Sequence, residues 1–115
     1  MSFNAYVLDW TIDGFDDLKD ALSAAGFAFR KETDSEHIRV TVPFARAQDF
    51  AAICQPRLNA PCNYIDVQFP DERQTALIFR QKMFLVSSRE ENERVKQWAL
   101  AQGLPPEQSD WGTSF

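Results

Sequence analysis

The apolar residues of this chain switch between a two-residue period and a helical period, and the order of these switches is the strongest constraint on its fold. Alternation typical of strands occupies residues 3–11, 27–32, 37–42 and 64–69. Helical spacing occupies residues 13–25, 45–55 and 88–102. With a β-rich stretch at 75–86, the predicted order is β-α-β-β-α-β-β-α.

The first six of these elements have the order of the split βαβ arrangement of ferredoxin-like folds. We therefore predict an α+β protein with a two-layer antiparallel sheet and helices on one face. An extra strand and a C-terminal helix follow the ferredoxin-like βαββαβ order. Because many functions occur on this architecture, the fold by itself predicts no activity.

Helix boundaries are marked by residues with special backbone roles. Asp13 is a predicted N-cap for the first helix, and Gly26 follows where a helix often ends in a left-handed residue. Pro56 stops the second helix because it lacks a backbone N–H. Ser88 and Glu91 have the spacing of a capping box, which predicts the start of the third helix.

The β-rich stretch at 75–86 has one irregular point. Its alternation is broken at residues 80–82, which are Arg-Gln-Lys, so we predict a bulge or a bend there. We expect residues 1–104 to form a single domain. The polar tail, residues 105–115, is expected to pack on that domain through Trp111 and Phe115.

Length and composition indicate a chain that folds alone. It has 115 residues, of which 44% are hydrophobic and 25% charged, close to the average of globular domains. The first residues lack the basic stretch and apolar run of a signal peptide, and no apolar run reaches the length of a membrane span. We therefore expect a soluble cytoplasmic protein that does not bind membranes.

Charge, glycine and cysteine content argue against several functions. A net charge of −5 disfavours nucleic acid as a partner, because phosphate binding needs clustered Lys and Arg. The four glycines form no phosphate-binding loop, and the spacing of Cys54 and Cys62 matches no zinc pattern. Cys54 is expected to be a buried hydrophobe. We predict no cofactor, no metal and no catalytic residue.

The clearest polar feature is an acidic stripe on the first helix. Asp13, Asp16, Asp17 and Asp20 are spaced to lie on one side of that helix. A solvated helix face explains them without any partner, because carboxylates are favourable near a helix N-terminus. A functional interpretation is a docking face for a basic protein, as in an inhibitor, immunity-type protein or adaptor. A divalent metal site is the least favoured interpretation, because a straight row of carboxylates does not surround an ion.

Two alternative functions stay open. The sheet with helices two and three could enclose an aromatic pocket for a small molecule or a reaction, with His37, Tyr64 or Arg80 at its mouth. A homo-oligomer could instead form through an unpaired sheet edge, for which the 75–86 stretch is the best candidate. Our leading interpretation is the protein–protein interaction module.

Overall fold

The alternating segments form six strands in one open antiparallel sheet. This architecture is seen in a computed structural model that describes residues 3–33 and 35–115. The strands are β1 (Ala5–Val7), β2 (Phe29–Lys31), β3 (Ile38–Val40), β4 (Tyr64–Phe69), β5 (Gln74–Phe79) and β6 (Met83–Val86). Their order across the sheet is β2-β3-β1-β4-β5-β6, so that β2 and β6 are the two edges. The fold class is therefore α+β.

Three α-helices complete the part of the chain that the structure describes. They are α1 (Phe15–Ala24), α2 (Ala47–Cys54) and α3 (Arg89–Ala101). Asp13 does not cap α1, because Gly14 precedes the helix with a φ of 68° and no side chain caps it. At α3 the predicted capping box is present, and the Ser88 hydroxyl accepts a hydrogen bond of 3.2 Å from the Glu91 N–H.

One side of the sheet, here called the helical side, carries the larger core. Strand alternation points Val7, Val40, Val67 and Ile78 to this side, where they pack with buried residues of α1 and α2 such as Phe50. These five side chains are completely buried. As predicted, α1 and α2 therefore share one face of the sheet.

The third helix lies on the opposite side, here called the tail side, which corrects the expected two-layer arrangement. Leu77 and Phe79 of β5 point away from α1 and α2 and form a second buried cluster with Val95 and Ala99 of α3. The neighbours of Leu77 and Phe79 in β5 are apolar too, because both sides of this strand are covered. A strand that is buried on both sides requires a layer on each.

The stretch predicted as one long strand is a hairpin. Phe79 and Lys82 exchange backbone hydrogen bonds of 2.8 and 3.3 Å, which leaves Arg80 and Gln81 as a two-residue turn. The irregular parity at 80–82 therefore marks a reversal of the chain, and two extra strands replace the predicted one. Strand one is also shorter than predicted, because residues 9–11 form a 3₁₀ turn.

Candidate functional site

Among the described residues, only half of the tail side of the sheet is covered. Beneath α3 and the C-terminal tail lie β4, β5 and β6, whereas β1, β3 and β2 form an open half-sheet. Tyr6 of β1 points to this side and is 36% exposed, and Arg30 of β2 is also exposed. The border between the open and covered halves therefore exposes side chains of the sheet to solvent.

A cavity of about 360 Å³ lies at that border, and we call it the acidic groove. Three aromatic rings and three carboxylates give it its chemical character: Tyr6, Trp10, Tyr64, Asp66, Glu107 and Asp110. None of the described residues that line it is Lys, Arg or His. A second cavity of about 360 Å³ shares Tyr6 and Asp66 with the groove and continues past Arg39. The combined site is elongated.

Strand register brings two of these residues together. Ala5 pairs with Val67 in the antiparallel β1–β4 ladder, so the next pair along is Tyr6 with Asp66. Both side chains point to the tail side, because neighbouring residues of a strand alternate. Trp10 comes from the 3₁₀ turn that follows β1 and is 56% exposed.

The tail supplies the other wall of the groove and is fixed by aromatic packing. Trp111 is buried, its ring meets that of Tyr64 at 5.2 Å, and its indole N–H donates to Asn92 of α3 at 2.7 Å. The Tyr64 hydroxyl donates to the Gln108 carbonyl at 2.9 Å. These contacts hold Glu107 and Asp110 beside the sheet.

Polar side chains of the sheet complete this docking. Gln68 donates to the Gly112 carbonyl at 2.9 Å and accepts from the Ser114 hydroxyl at 2.6 Å. Thr75 is fully buried, and its hydroxyl donates to Gln68 while it accepts from the Ser114 N–H at 3.0 Å. No buried side-chain polar atom of the described residues lacks a hydrogen-bond partner. The tail therefore docks without leaving polar groups unpaired.

The groove has a negative local potential. Burial, together with the nearby Asp66 and Asp110 carboxylates, raises the pKa of Tyr64 to about 12. Each of these causes disfavours the phenolate. Tyr64 is therefore a neutral hydrogen-bond donor at ordinary pH and does not serve as a base there.

His37 lies against Tyr6 at the border of the groove. The two rings meet edge to face at 5.6 Å. The His37 Nδ1 atom is 3.0 Å from the Asp9 N–H, which donates to it, and 2.9 Å from the Asp9 carboxylate. The Arg39 guanidinium, which pairs with Glu32, also lies over the Tyr6 ring, 4.5 Å from its centre. His37 and Arg39 thus position Tyr6.

The three residues expected at the mouth of a pocket have different surroundings. Tyr64 lines the groove, His37 contacts its border, and Arg80 is exposed in the β5–β6 turn. The expected enclosure by α2 and α3 is wrong, because these helices lie on opposite sides of the sheet.

The acidic stripe of α1 is exposed but partly neutralised. Asp16 forms an ion pair with Lys19 at 3.1 Å, and Asp17 forms one with Arg57 at 2.9 Å. Asp13 and Asp20 have no such partner among the described residues. Docking on this face stays a prediction.

Cys54 is not arranged for nucleophilic chemistry. Both cysteines are free, and burial raises the pKa of the Cys54 thiol to about 12, which suppresses the reactive thiolate. Cys62 is half-buried and lines the groove.

Within residues 3–33 and 35–115, no cluster of His, Cys, Asp and Glu has the arrangement of a metal site. In the same residues, no helix has the length and apolar character needed to cross a bilayer.

Several groove residues were not singled out by the sequence patterns. Asp66 is the polar member of an alternating strand, and Glu107 and Asp110 are part of a polar tail. The one signal available was the proximity of these tail carboxylates to Trp111, which fixes their position.

Comparison with family models, with curated proteins and with solved structures finds no match for this chain.

Proposed function

We propose that this protein is an interaction module that binds a basic segment of a partner protein in the acidic groove. The observation that carries the proposal is the lining of the groove, where three aromatic rings and three carboxylates occur without a basic side chain. Such a lining favours a cation over an anion or a neutral ligand. The net charge of −5 adds long-range attraction for a basic partner.

Lys and Arg side chains fit this chemistry. An ammonium or guanidinium within about 6 Å of an aromatic centroid is attracted by the ring, most strongly by Trp. Trp10 is available for this contact because more than half of its surface is exposed. The Asp66, Glu107 and Asp110 carboxylates would then neutralise the bound cation.

The shape of the site favours a peptide segment over a compact small molecule. Two neighbouring cavities of about 360 Å³ each share Tyr6 and Asp66, so the accessible surface is elongated. The second cavity also includes Arg39, whose guanidinium is already paired with Glu32. A free amine would engage the same rings and carboxylates, and the experiment below separates these ligands.

Two broader assignments accompany this proposal. We assign β1–β4 with α1 and α2 to a ferredoxin-like unit, supported by the order β4-β1-β3-β2 and by two helices on one face. In this assignment, β5, β6 and α3 extend the unit at one edge. The acidic stripe of α1 is assigned a steering role, and the cytoplasmic location stays a prediction.

The proposal is tested with a fluorescent Lys/Arg-rich peptide, whose anisotropy is followed as protein is added. The double variant Glu107→Gln/Asp110→Asn removes two exposed groove charges. We expect it to weaken binding about tenfold, because two charge contacts are lost. A matched control, Asp13→Asn/Asp20→Asn, removes two charges from α1 and should change affinity less than about twofold.

The remaining arms of the experiment separate the alternatives. Trp10→Ala should weaken peptide binding to a similar degree, because the cation–π contact is lost. If only the α1 control weakens binding, the docking face is the helix stripe and the groove is rejected. If a free monoamine competes as well as the peptide at equal concentration, the groove is a small-molecule site. Absence of peptide binding also rejects the proposal.

A further inference from the structure

The two edges of the sheet differ in how they are protected against pairing with another strand. At one edge, β2 exposes Arg30 and Lys31, and charged side chains of this kind discourage edge-to-edge association. The other edge, β6, has the sequence Met-Phe-Leu-Val without a charge, a proline or a bulge. The β6 edge is therefore unprotected.

Outward-facing backbone groups on β6 follow from the hairpin geometry. Phe79 and Lys82 form a hydrogen-bonded pair, and such pairs alternate along an antiparallel ladder. Phe84 and Val86 therefore bond to β5, whereas the N–H and C=O groups of Met83 and Leu85 point away from the sheet. Among the described residues no strand pairs with that edge.

Apolar side chains surround these unpaired groups. Leu85 is 40% exposed on the helical side, at the margin of the sheet. On the tail side, Phe84 packs against Trp98 at 5.2 Å and lines a groove of about 310 Å³ with Val86 and Val95. A partner strand placed here would cover apolar surface on both sides while it pairs with the edge.

We propose that the occupant of this edge is a second copy of the chain, which pairs β6 with β6 in antiparallel orientation about a twofold axis at Phe84. In this register Met83 faces Leu85 of the second copy, and both residues have outward-facing backbone groups. Each such pair exchanges two backbone hydrogen bonds. Phe84 meets Phe84 of the second copy, so the two six-stranded sheets become continuous.

Charge complementarity selects a second copy over an unrelated strand. The pairing puts Lys82 opposite Val86 of the second copy, next to the Glu91 carboxylate, which is bonded to the Ser87 N–H at 3.2 Å. Lys82 points to the same side, since its ammonium lies 5.1 Å from the Phe84 ring centre. Twofold symmetry forms this ion pair twice, as isologous interfaces require.

The first test measures molar mass against protein concentration by sedimentation equilibrium. We expect a monomer of 13.2 kDa at low concentration and a species of twice that mass at high concentration. Leu85→Lys should weaken association at least tenfold, because it adds a charge to the apolar edge. Gln48→Lys adds the same charge on the exposed side of α2 and should leave association unchanged.

The second test uses mixtures, because a folding defect in one variant cannot produce a heterodimer. Lys82→Glu and Glu91→Lys should each be monomeric, because each places like charges across the interface. Their equimolar mixture should form a heterodimer with both ion pairs restored. One pair then has the native polarity, and in the other the two charges are exchanged. A monomer at every concentration up to about 1 mM, a dimer that Leu85→Lys leaves unchanged, or a mixture that stays monomeric would overturn the proposal.

Discussion

The two sides of the sheet are closed by different means. On the helical side, α1 and α2 pack apolar side chains on apolar strands, and the residues that meet, such as Leu18, Leu22 and Phe50, are completely buried. On the tail side, one helix and an eleven-residue polar tail cover half of the surface, with aromatic rings and hydrogen bonds at the contact. The remaining half is open.

This contrast shows that a helix and an irregular segment need different surfaces to pack on. A helix buries a wide apolar stripe, whereas an irregular segment also brings backbone groups that need partners. Gln68, Thr75 and Tyr64 provide such partners on the sheet. The tail docks along this polar track, and the acidic groove lies at its margin, lined by Glu107, Gln108 and Asp110.

The largest expected effect concerns the helical side. Phe50→Ala should lower the free energy of unfolding by about 3–5 kcal/mol, because a fully buried ring is replaced by a cavity. Urea denaturation followed by circular dichroism measures this loss. As a control, Phe44→Ala removes a ring that is more than a third exposed and should cost much less. Equal losses would remove the distinction between a closed core and its margin.

A smaller effect is expected on the tail side. Trp111→Ala should cost about 2–3 kcal/mol, less than a central core substitution, because the tail can undock while the sheet stays folded. Hydrogen exchange should show faster exchange of the Ser114 N–H, which is bonded to Thr75. Trp10→Ala makes the same change at an exposed ring and should cost under about 0.5 kcal/mol. Loss of protection throughout β1 and β3 in Trp111→Ala would contradict independent docking.

The smallest effect appears only in alkaline solution. The folded-state pKa of Tyr64 is about 12, above its ordinary value of 10.0, so the unfolded chain loses this proton first as pH rises. The stabilising contribution is therefore complete below pH 10 and is lost as pH rises toward 12, by roughly 1–2 kcal/mol. Tyr64→Phe should lack this part of the alkaline loss when denaturation is compared at pH 8 and pH 11. Identical pH dependence in the two proteins would exclude Tyr64 as its source.

Local patterns in the sequence predicted the elements but not their sides. Period-two and helical segments indicated an α+β protein with an antiparallel sheet, and that prediction is confirmed at this level. The third helix was recognised from Ser88 and Glu91, yet its side was not, because Leu77 and Phe79 read as ordinary strand residues. At Arg80 and Gln81 the sequence predicts a bulge or a bend, and not a hairpin turn, since it lacks the glycine or asparagine common in two-residue hairpins.

The acidic groove was beyond the reach of these patterns. Its residues come from β1 and the turn after it, from β4 and from the tail. More than fifty positions of sequence separate the first of these segments from β4, and about forty separate β4 from the tail. Periodicity relates residues within one element, so it carries no information on which distant elements meet. The acidic stripe was visible because its four residues, Asp13 to Asp20, lie within one short stretch of the sequence.

The sequence by itself determined most of the strand and helix segments, where α3 begins, and the negative charge of the molecule. These properties depend on neighbours within a few residues, through backbone preference and side-chain period. Only the tertiary structure decided which side α3 covers and where carboxylates meet aromatic rings. Those outcomes depend on long-range packing, in which a buried strand such as β5 requires cover on both sides and distant segments must meet to supply it.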